Sequence, residues 1–290
     1  MADGLLVVDK PAGMTSHDVV ARCRRLFSQR RVGHGGTLDP DATGVLLVGL
    51  GSATRLLQYM TILPKSYTAE MVLGAATSTL DAAGSVVGEW DMSAVTLAQA
   101  RSAAASLTGD IMQVPPMVSA VKVAGRRLHE LAREGVTVAR EPRPVKVHRF
   151  EVISLRGGVL DVEVDCSSGT YVRVLADDLG RALGGGAHLR NLRRTAVGPW
   201  TVDSAVSLDD VGPARLLAPS ECLPWMEAVT ATPTLAGAVG HGAVLPRAAL
   251  GLRGPGPWRI LSASGDLIAV YEAHGELNAK PKVVLGVPSV

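Results

Sequence analysis

The sequence predicts an α+β protein, a mixed sheet with helices packed on it, followed by a small β-rich unit. "GLLVVDK" at 4–10 reads as a short buried strand, and "GVLLVGLG" at 44–51 is a continuous apolar run of strand length. "SYTAEMVLG" (66–74) and "LDVEVDCSS" (160–168) alternate apolar and polar with the period of two that half-buries a strand. "SHDVVARCRRLF" (16–27) and "SAVTLAQARSAAASLTG" (93–109) place apolar residues at helical spacing.

In chain order, the first strand ends at Pro11 and Gly13, and Ser16 is the expected N-cap of the first helix. The glycine-rich stretch 31–43 feeds into the strand at 44–51. The helix at 93–109 is expected to close at Gly109. Thr170 to Leu179 reads as a strand end turning into a helix, with Tyr171 and Arg173 on one side of the extended part. "HLRNLRRTAVG" (188–198) places Leu189 and Leu192 inward at helical spacing and leaves Arg190, Arg193 and Arg194 as a basic face. Near residue 228 the composition turns Gly- and Pro-rich, and "RILSASGDLIAVYEA" (259–273) reads as two strands about a Ser-Gly-Asp turn. Two units follow, 1–228 and 229–290.

At 290 residues and 47% hydrophobic content, the chain can bury one large core and a smaller one. The net charge of +2 gives no global basic field, but Arg22, Arg24, Arg25, Arg30 and Arg31 cluster beside the glycine-rich stretch. Cys23, Cys166 and Cys222 are odd in number and lack CxxC spacing, which points away from a disulfide framework or a zinc site and toward a reducing cytoplasm. No uninterrupted apolar run reaches about 18 residues, so neither secretion nor a membrane span is expected.

The chemistry concentrates in "GHGGTLDPDATG" (33–44). It lacks the G-K-[ST] ending of a P-loop and the spacing of a dinucleotide fingerprint. Asp39 and Asp41 are not followed by the further ligands of a calcium loop. A turn with Pro40 setting φ and the carboxylates bonded to nearby amides accounts for an isolated D-P-D. Here, however, a loop with His34 and several glycines enters a buried strand, which would fix an exposed carboxylate on a rigid scaffold, as a nucleophile or general base requires. Arg173, if buried beside Asp39, would keep it ionised; at the surface it would be an ordinary weak ion pair. Tyr67 by itself reads as a half-buried strand tyrosine with Lys65 two residues earlier. Asp177 and Asp178 read as helix-surface charges.

Five stretches in order, "DKPAGMTSHDVV", "RVGHGGTLDPDATGVLLVGLG", "KSYTAEMVLGAATSTLDAAG", "VPPMVSAVKVAGRRLHELAREG" and "CSSGTYVRVLADDLG", resemble the TruB-type tRNA pseudouridine synthases. The resemblance implies a mixed, largely antiparallel sheet flanked by helices. It makes Asp39 the catalytic residue, Tyr67 the residue that stacks on the target base and Arg173 the partner of Asp39. Leu192 packs in the site, and His34 fills the gap the base leaves in the RNA stack. Tyr171, Lys10 and Lys65 join the substrate-binding set. The implied reaction converts uridine 55 in the T arm of tRNA to pseudouridine after base flipping, with no cofactor and no metal, in a cytoplasmic monomer. A tRNA-folding chaperone indifferent to catalysis is the alternative. A synthase acting on ribosomal or guide-directed RNA is a third possibility, for which the sequence shows no guide-protein interface. Through "GHGAVL" and "ASGDLIAVYEA" the tail resembles a PUA-like RNA-binding unit. Departures from the family pattern are Gly35, expected to loosen the loop, Asp41, which adds negative charge near RNA, and His129.

Overall fold

The computed structural model describes residues 2–119, 122–123, 125–127, 131, 134–136 and 138–286, so His129 lies outside the described residues. In chain order the strands of the first unit are β1 (Gly4–Lys10), β2 (Val32–Gly35), β3 (Thr43–Leu50), β4 (Lys65–Leu73), the hairpin β5 (Ala75–Thr77) and β6 (Val86–Glu89), and β7 (Gly109–Gln113). There follow the hairpin β8 (Lys122–Val123) and β9 (Arg126–Arg127), then β10 (Arg143–Arg156), β11 (Val159–Cys166), β12 (Ala187–Val197), β13 (Trp200–Thr201) and β14 (Val206–Ser207). The central sheet runs β14-β1-β3-β12-β4-β11-β10-β7, with β2 on β3 and β13 on β12. Its pairings are antiparallel except β1 with β14 and β3 with β12. The architecture is thus the expected mixed, largely antiparallel one.

Residues 4–8 of β1 and nearly all of β3 are apolar because both faces of this half of the sheet are covered. Leu6, Val8, Leu46 and Val48 point into a core closed by Val19, Val20 and Cys23 of helix α1 (Ser16–Leu26). Leu5, Val7, Val45 and Leu47 point the other way, into a core shared with α2 (Leu57–Thr61) and with Leu267, Val270 and Val283 of the C-terminal unit. Truncating one of these fully buried leucines to alanine costs about 2–5 kcal/mol. The alternating strands β4 and β11 occupy the other half, where their inward residues meet α3 (Leu97–Ser106) and α4 (Val172–Ala182).

The C-terminal unit is a second sheet of β15 (Glu227–Thr230), β16 (Leu245–Pro246), β17 (Trp258–Leu261), β18 (Leu267–His274) and β19 (Asn278–Val284), in the order β15-β17-β18-β19-β16. Helices α5 (Pro233–Gly240) and α6 (Arg247–Leu250) accompany it. The turn predicted at Ser-Gly-Asp joins β17 to β18.

Several local expectations are corrected. The N-cap of α1 is Thr15, whose hydroxyl accepts from the Asp18 N–H while the Asp18 carboxylate accepts from the Thr15 N–H, so Ser16 is the first helical residue. Helix α3 ends at Ser106, and Gly109, at φ +103°, opens β7 instead. The 188–198 segment is the strand β12, not a helix: pairing with β4 overrides an apolar spacing that fits both periods. Asp177 is buried and paired with Arg181, 2.9 Å away, so it is no surface charge. Gly35 lies in β2, paired with Leu47 and packed on Leu57, and does not belong to the loop it was expected to loosen.

Candidate active site

Asp39 sits in the connection between β2 and β3, near the centre of the sheet where β3 and β12 run parallel. The backbone carbonyls from Gly36 to Pro40 are all held. The Ser16 hydroxyl accepts from the Leu38 N–H at 2.9 Å and donates to the Leu38 carbonyl at 3.2 Å. Arg194, fully buried, donates to the Gly36 carbonyl at 3.1 Å, to the Thr37 carbonyl at 3.4 Å and to the Val45 carbonyl at 2.7 Å. The Pro40 carbonyl accepts from Lys10 Nζ at 2.9 Å and from the Gly13 N–H at 3.0 Å, and the Asp39 carbonyl accepts from the Ala42 N–H at 3.1 Å. Gly44 adopts φ +102°, and a Cβ there would lie 2.1 Å from the Arg194 carbonyl, so only glycine lets β3 start against β12. The rigid loop expected around Asp39 is therefore built largely by residues far away in the chain.

The carboxylate faces Arg173, the second residue of α4, whose Nη1 lies 3.2 Å from Asp39 Oδ2 and 3.3 Å from Asp81 Oδ2. Arg173 Nη2 donates to the Val118 carbonyl at 2.5 Å. The guanidinium is buried and the Asp39 side chain 41% accessible, so one face of the carboxylate opens outward. Burial is the largest influence on Asp39 and raises its pKa above the ordinary carboxylate value; Arg173 and Lys10 pull against this, while Asp81 and Asp41 reinforce it. Arg173 thus opposes the rise and does not cancel it.

Asp39 lies between two adjoining cavities. One, of about 270 Å³, is also lined by Lys65, Tyr67, Tyr171, Arg173 and Leu192. The other, of about 460 Å³, is lined by Asp39, Asp41, Asp81, Arg173 and Leu192 among others. Tyr67 comes from β4, where it faces Arg194 of β12 and Val164 of β11. Burial raises the pKa of its phenol, opposed by Arg194. Leu192 reaches both cavities from a bulge of β12 where Asn191 takes φ +51° and the register with β4 slips. Tyr171 is the N-cap residue of α4, so Tyr171 and Arg173 share the cavity as a cap and a first-turn side chain, with Arg173 Cζ 5.8 Å from the Tyr171 ring centre.

The remaining predicted residues are placed differently. Lys10 is fully buried and outside both cavities, its ammonium donating to the carbonyls of Pro11, Met14 and Pro40 at 2.7–2.9 Å. All three N–H groups are committed, so Lys10 pins the loop and has no donor left for a substrate; burial lowers its pKa to about 8. Lys65 donates to the Thr61 and Leu63 carbonyls, both at 2.6 Å, and lines the smaller cavity, with burial lowering its pKa to about 8. His34 stands on β2, outside both cavities, edge-on to His17 with ring centres 5.2 Å apart; burial and the neighbouring His17 and Arg194 push it down to about 4, so the ring is neutral.

The basic face at 190–194 is not free for phosphate. Arg190 pairs with Glu70 at 2.5 Å, Arg193 grips Asp9 through both terminal nitrogens, and Arg194 is spent on the loop. In the basic cluster near α1, Arg22 pairs with Asp209, Arg24 donates to the Val32 carbonyl and Arg31 to the Thr54 hydroxyl.

Four residues were missed: Asp81, Ser16 in its loop-bracing role, Arg194 as a loop anchor, and Gln113 beneath Tyr171. For Asp81 a signal was present, since Thr79-Leu80-Asp81 repeats the Thr37-Leu38-Asp39 tripeptide. Its Oδ1 accepts from the Thr79 hydroxyl at 2.5 Å and the Ala83 N–H at 3.1 Å, leaving Oδ2 for Arg173.

Known proteins place this chain in a class. The chain superposes on a chain of a Cbf5-Nop10-Gar1 complex with a TM-score of 0.74 and 27% identity, covering 100% of this chain and 85% of that one. Residues 24–172 match the N-terminal domain of the TruB family pseudouridylate synthases, which makes the class that of the pseudouridylate synthases. Residues 173–221 match the tRNA pseudouridylate synthase B C-terminal domain. The protein named tRNA pseudouridine synthase B of Mycobacterium tuberculosis (strain ATCC 25618 / H37Rv) is 48% identical over 94% of this chain and 92% of its own. The protein of the same name from Arthrobacter sp. (strain FB24) is 47% identical over 98% and 97%. The chain belongs to the TruB family of pseudouridylate synthases.

Proposed function

We propose that this enzyme isomerises uridine 55 in the T arm of tRNA to pseudouridine, with Asp39 as the catalytic carboxylate. The observation that carries the reading is the Asp39 carboxylate, 3.2 Å from the buried Arg173 guanidinium, opening on a cavity shared with Tyr67 and Leu192. The target base is stacked inside folded RNA and is flipped out at a cost of a few kcal/mol. Tyr67 offers it an aromatic surface, Leu192 an apolar one and Lys65 a cationic one, while His34, neutral and outside the cavity, fills the vacated place in the RNA stack. The bond from C1′ to N1 breaks, the uracil turns within the cavity, C5 is joined to C1′, and the C5 proton is lost as N1 gains one.

Asp39 acts ionised, so turnover falls on the acid side as it takes up a proton. Burial sets that limb above the ordinary aspartate value. The 1–228 unit carries this chemistry, and the C-terminal sheet, PUA-like in its sequence signals, is a second RNA contact of a monomeric cytoplasmic enzyme. The test is pseudouridine formation on an unmodified T-arm stem-loop: Asp39→Ala is expected to form no product while binding RNA as the wild type does, and product from Asp39→Ala would sink the assignment. Refolding of tRNA by Asp39→Ala separates this from the chaperone reading, and a ribosomal RNA fragment run beside the tRNA tests the substrate class.

A further inference from the structure

The end of β7 carries a polar side chain in a place the chemistry above does not use. Burial alternates along the strand's exit: Met112 is exposed, Gln113 is 2% accessible and Val114 is exposed again. A buried carboxamide is costly unless its donor and acceptor are both matched. Gln113 Oε1 accepts from the Tyr171 N–H at 2.9 Å, and its Nε2 donates to the Tyr171 carbonyl at 3.2 Å. The side chain therefore pairs with one backbone residue as a neighbouring strand would.

That residue is the N-cap of α4, which has no side-chain cap of its own, and its carbonyl also accepts from the Val174 and Leu175 amides of the first turn. Arg173 lies in this turn. Five residues beyond Gln113, the Val118 carbonyl accepts from Arg173 Nη2. The 113–118 segment thus grips α4 twice, at the backbone of residue 171 and at the guanidinium of residue 173.

We propose that Gln113 is a positioning residue: by fixing the backbone of Tyr171 it sets Arg173 at its distance from Asp39 and Tyr171 in the cavity wall. A displacement on the order of 1 Å at a reacting group costs up to about a hundredfold in rate. This inference rests on the reading of Asp39 and Arg173 given above.

Gln113→Met keeps the side-chain length and removes both hydrogen bonds. With a T-arm stem-loop, the full-length variant is expected to lose about tenfold to a hundredfold in single-turnover rate at unchanged RNA affinity. The acid limb of its pH–rate profile moves to higher pH, because Arg173, which favours ionised Asp39, has shifted away. A merely structural glutamine would lower thermal stability and leave the rate and limb of the folded enzyme where they were. If Gln113→Met does not fold, Gln113→Asn, which keeps the carboxamide but sets it one methylene short of the Tyr171 backbone, carries the same readouts with a smaller change. Amide exchange of the wild type adds a check independent of any variant, since rapid exchange at Tyr171 overturns the proposal. An inactive Asp39→Asn beside a Gln113→Met with wild-type rate and limb overturns this inference alone, whereas an active Asp39→Asn overturns the proposed function.

Discussion

Replacing Arg173 with methionine removes one cation from between two carboxylates and leaves most of the side-chain volume in place. Its Nη1 lies 3.2 Å from Asp39 and 3.3 Å from Asp81. At an effective dielectric constant of about 20, each contact is worth about 5 kcal/mol of gross Coulomb attraction. Desolvation of the guanidinium offsets much of this, and the Asp39 side chain is 41% accessible, so solvent screens it further. A net loss of about 3 kcal/mol remains, because the two carboxylates are left facing each other without a counter-charge. In a chain of this size that lowers Tm by about 5–8 °C. Catalysis is expected to suffer more, since Asp39, already raised by burial, loses the largest influence that lowers its pKa. The assay is thermal unfolding beside single-turnover pseudouridine formation across the acid limb. Adding Asp81→Asn to Arg173→Met removes one of the facing charges and is expected to recover part of the stability. An Arg173→Met protein with wild-type Tm and an unmoved acid limb would refute the reasoning.

Two further outcomes follow from buried titratable groups. Lys65 has a folded pKa of about 8 against 10.5 when unfolded. Below pH 8 it is charged in both states and its burial is a constant penalty; between these values the unfolded chain binds the extra proton, so stability rises with pH. Urea unfolding should show the wild type gaining about 2–3 kcal/mol relative to Lys65→Met between about pH 8 and 10.5, and a flat difference would contradict the assignment. Cys23 and Cys166 are pushed up to about 11 and Cys222 to about 12, each by burial. The folded protein should therefore be inert to a thiol reagent near pH 8 and show three thiols in denaturant, and prompt labelling of the native state would count against these burials.

Much of the fold was legible because its strands advertise themselves in two ways. The alternating pattern of 66–74 and 160–168 marks strands with one face on the helices, and the apolar runs of β1 and β3 mark strands covered on both. What misled was local spacing where two periods coincide. Leu189 and Leu192 fit a helix, yet Asn191 at φ +51° makes a bulge that turns Leu192 into the cavity from a strand. Tyr171 and Arg173 were expected on one side of an extended segment and meet instead across the start of a helix.

The sequence by itself marked out the candidate groups for the proposed chemistry. Asp39, Tyr67, Arg173 and Leu192 stand in motifs specific enough to mark a family resemblance; periodicity gives the mixed sheet with packed helices, and the resemblance gives its largely antiparallel character. Only the tertiary structure decided what these cations do. Lys10, Arg193 and Arg194 look in one dimension like groups for an anionic substrate. In the fold, Lys10 and Arg194 spend their donors on backbone carbonyls around Asp39, and Arg193 spends its terminal nitrogens on Asp9. The repeated Thr-Leu-Asp tripeptide marks Asp81 in the sequence, but only the fold puts Arg173 between it and Asp39, 42 positions away, and only the fold sets Gln113 against the backbone of Tyr171. A charge declares its sign in the sequence, but its partner is set by which strands pair and which helix begins beside them.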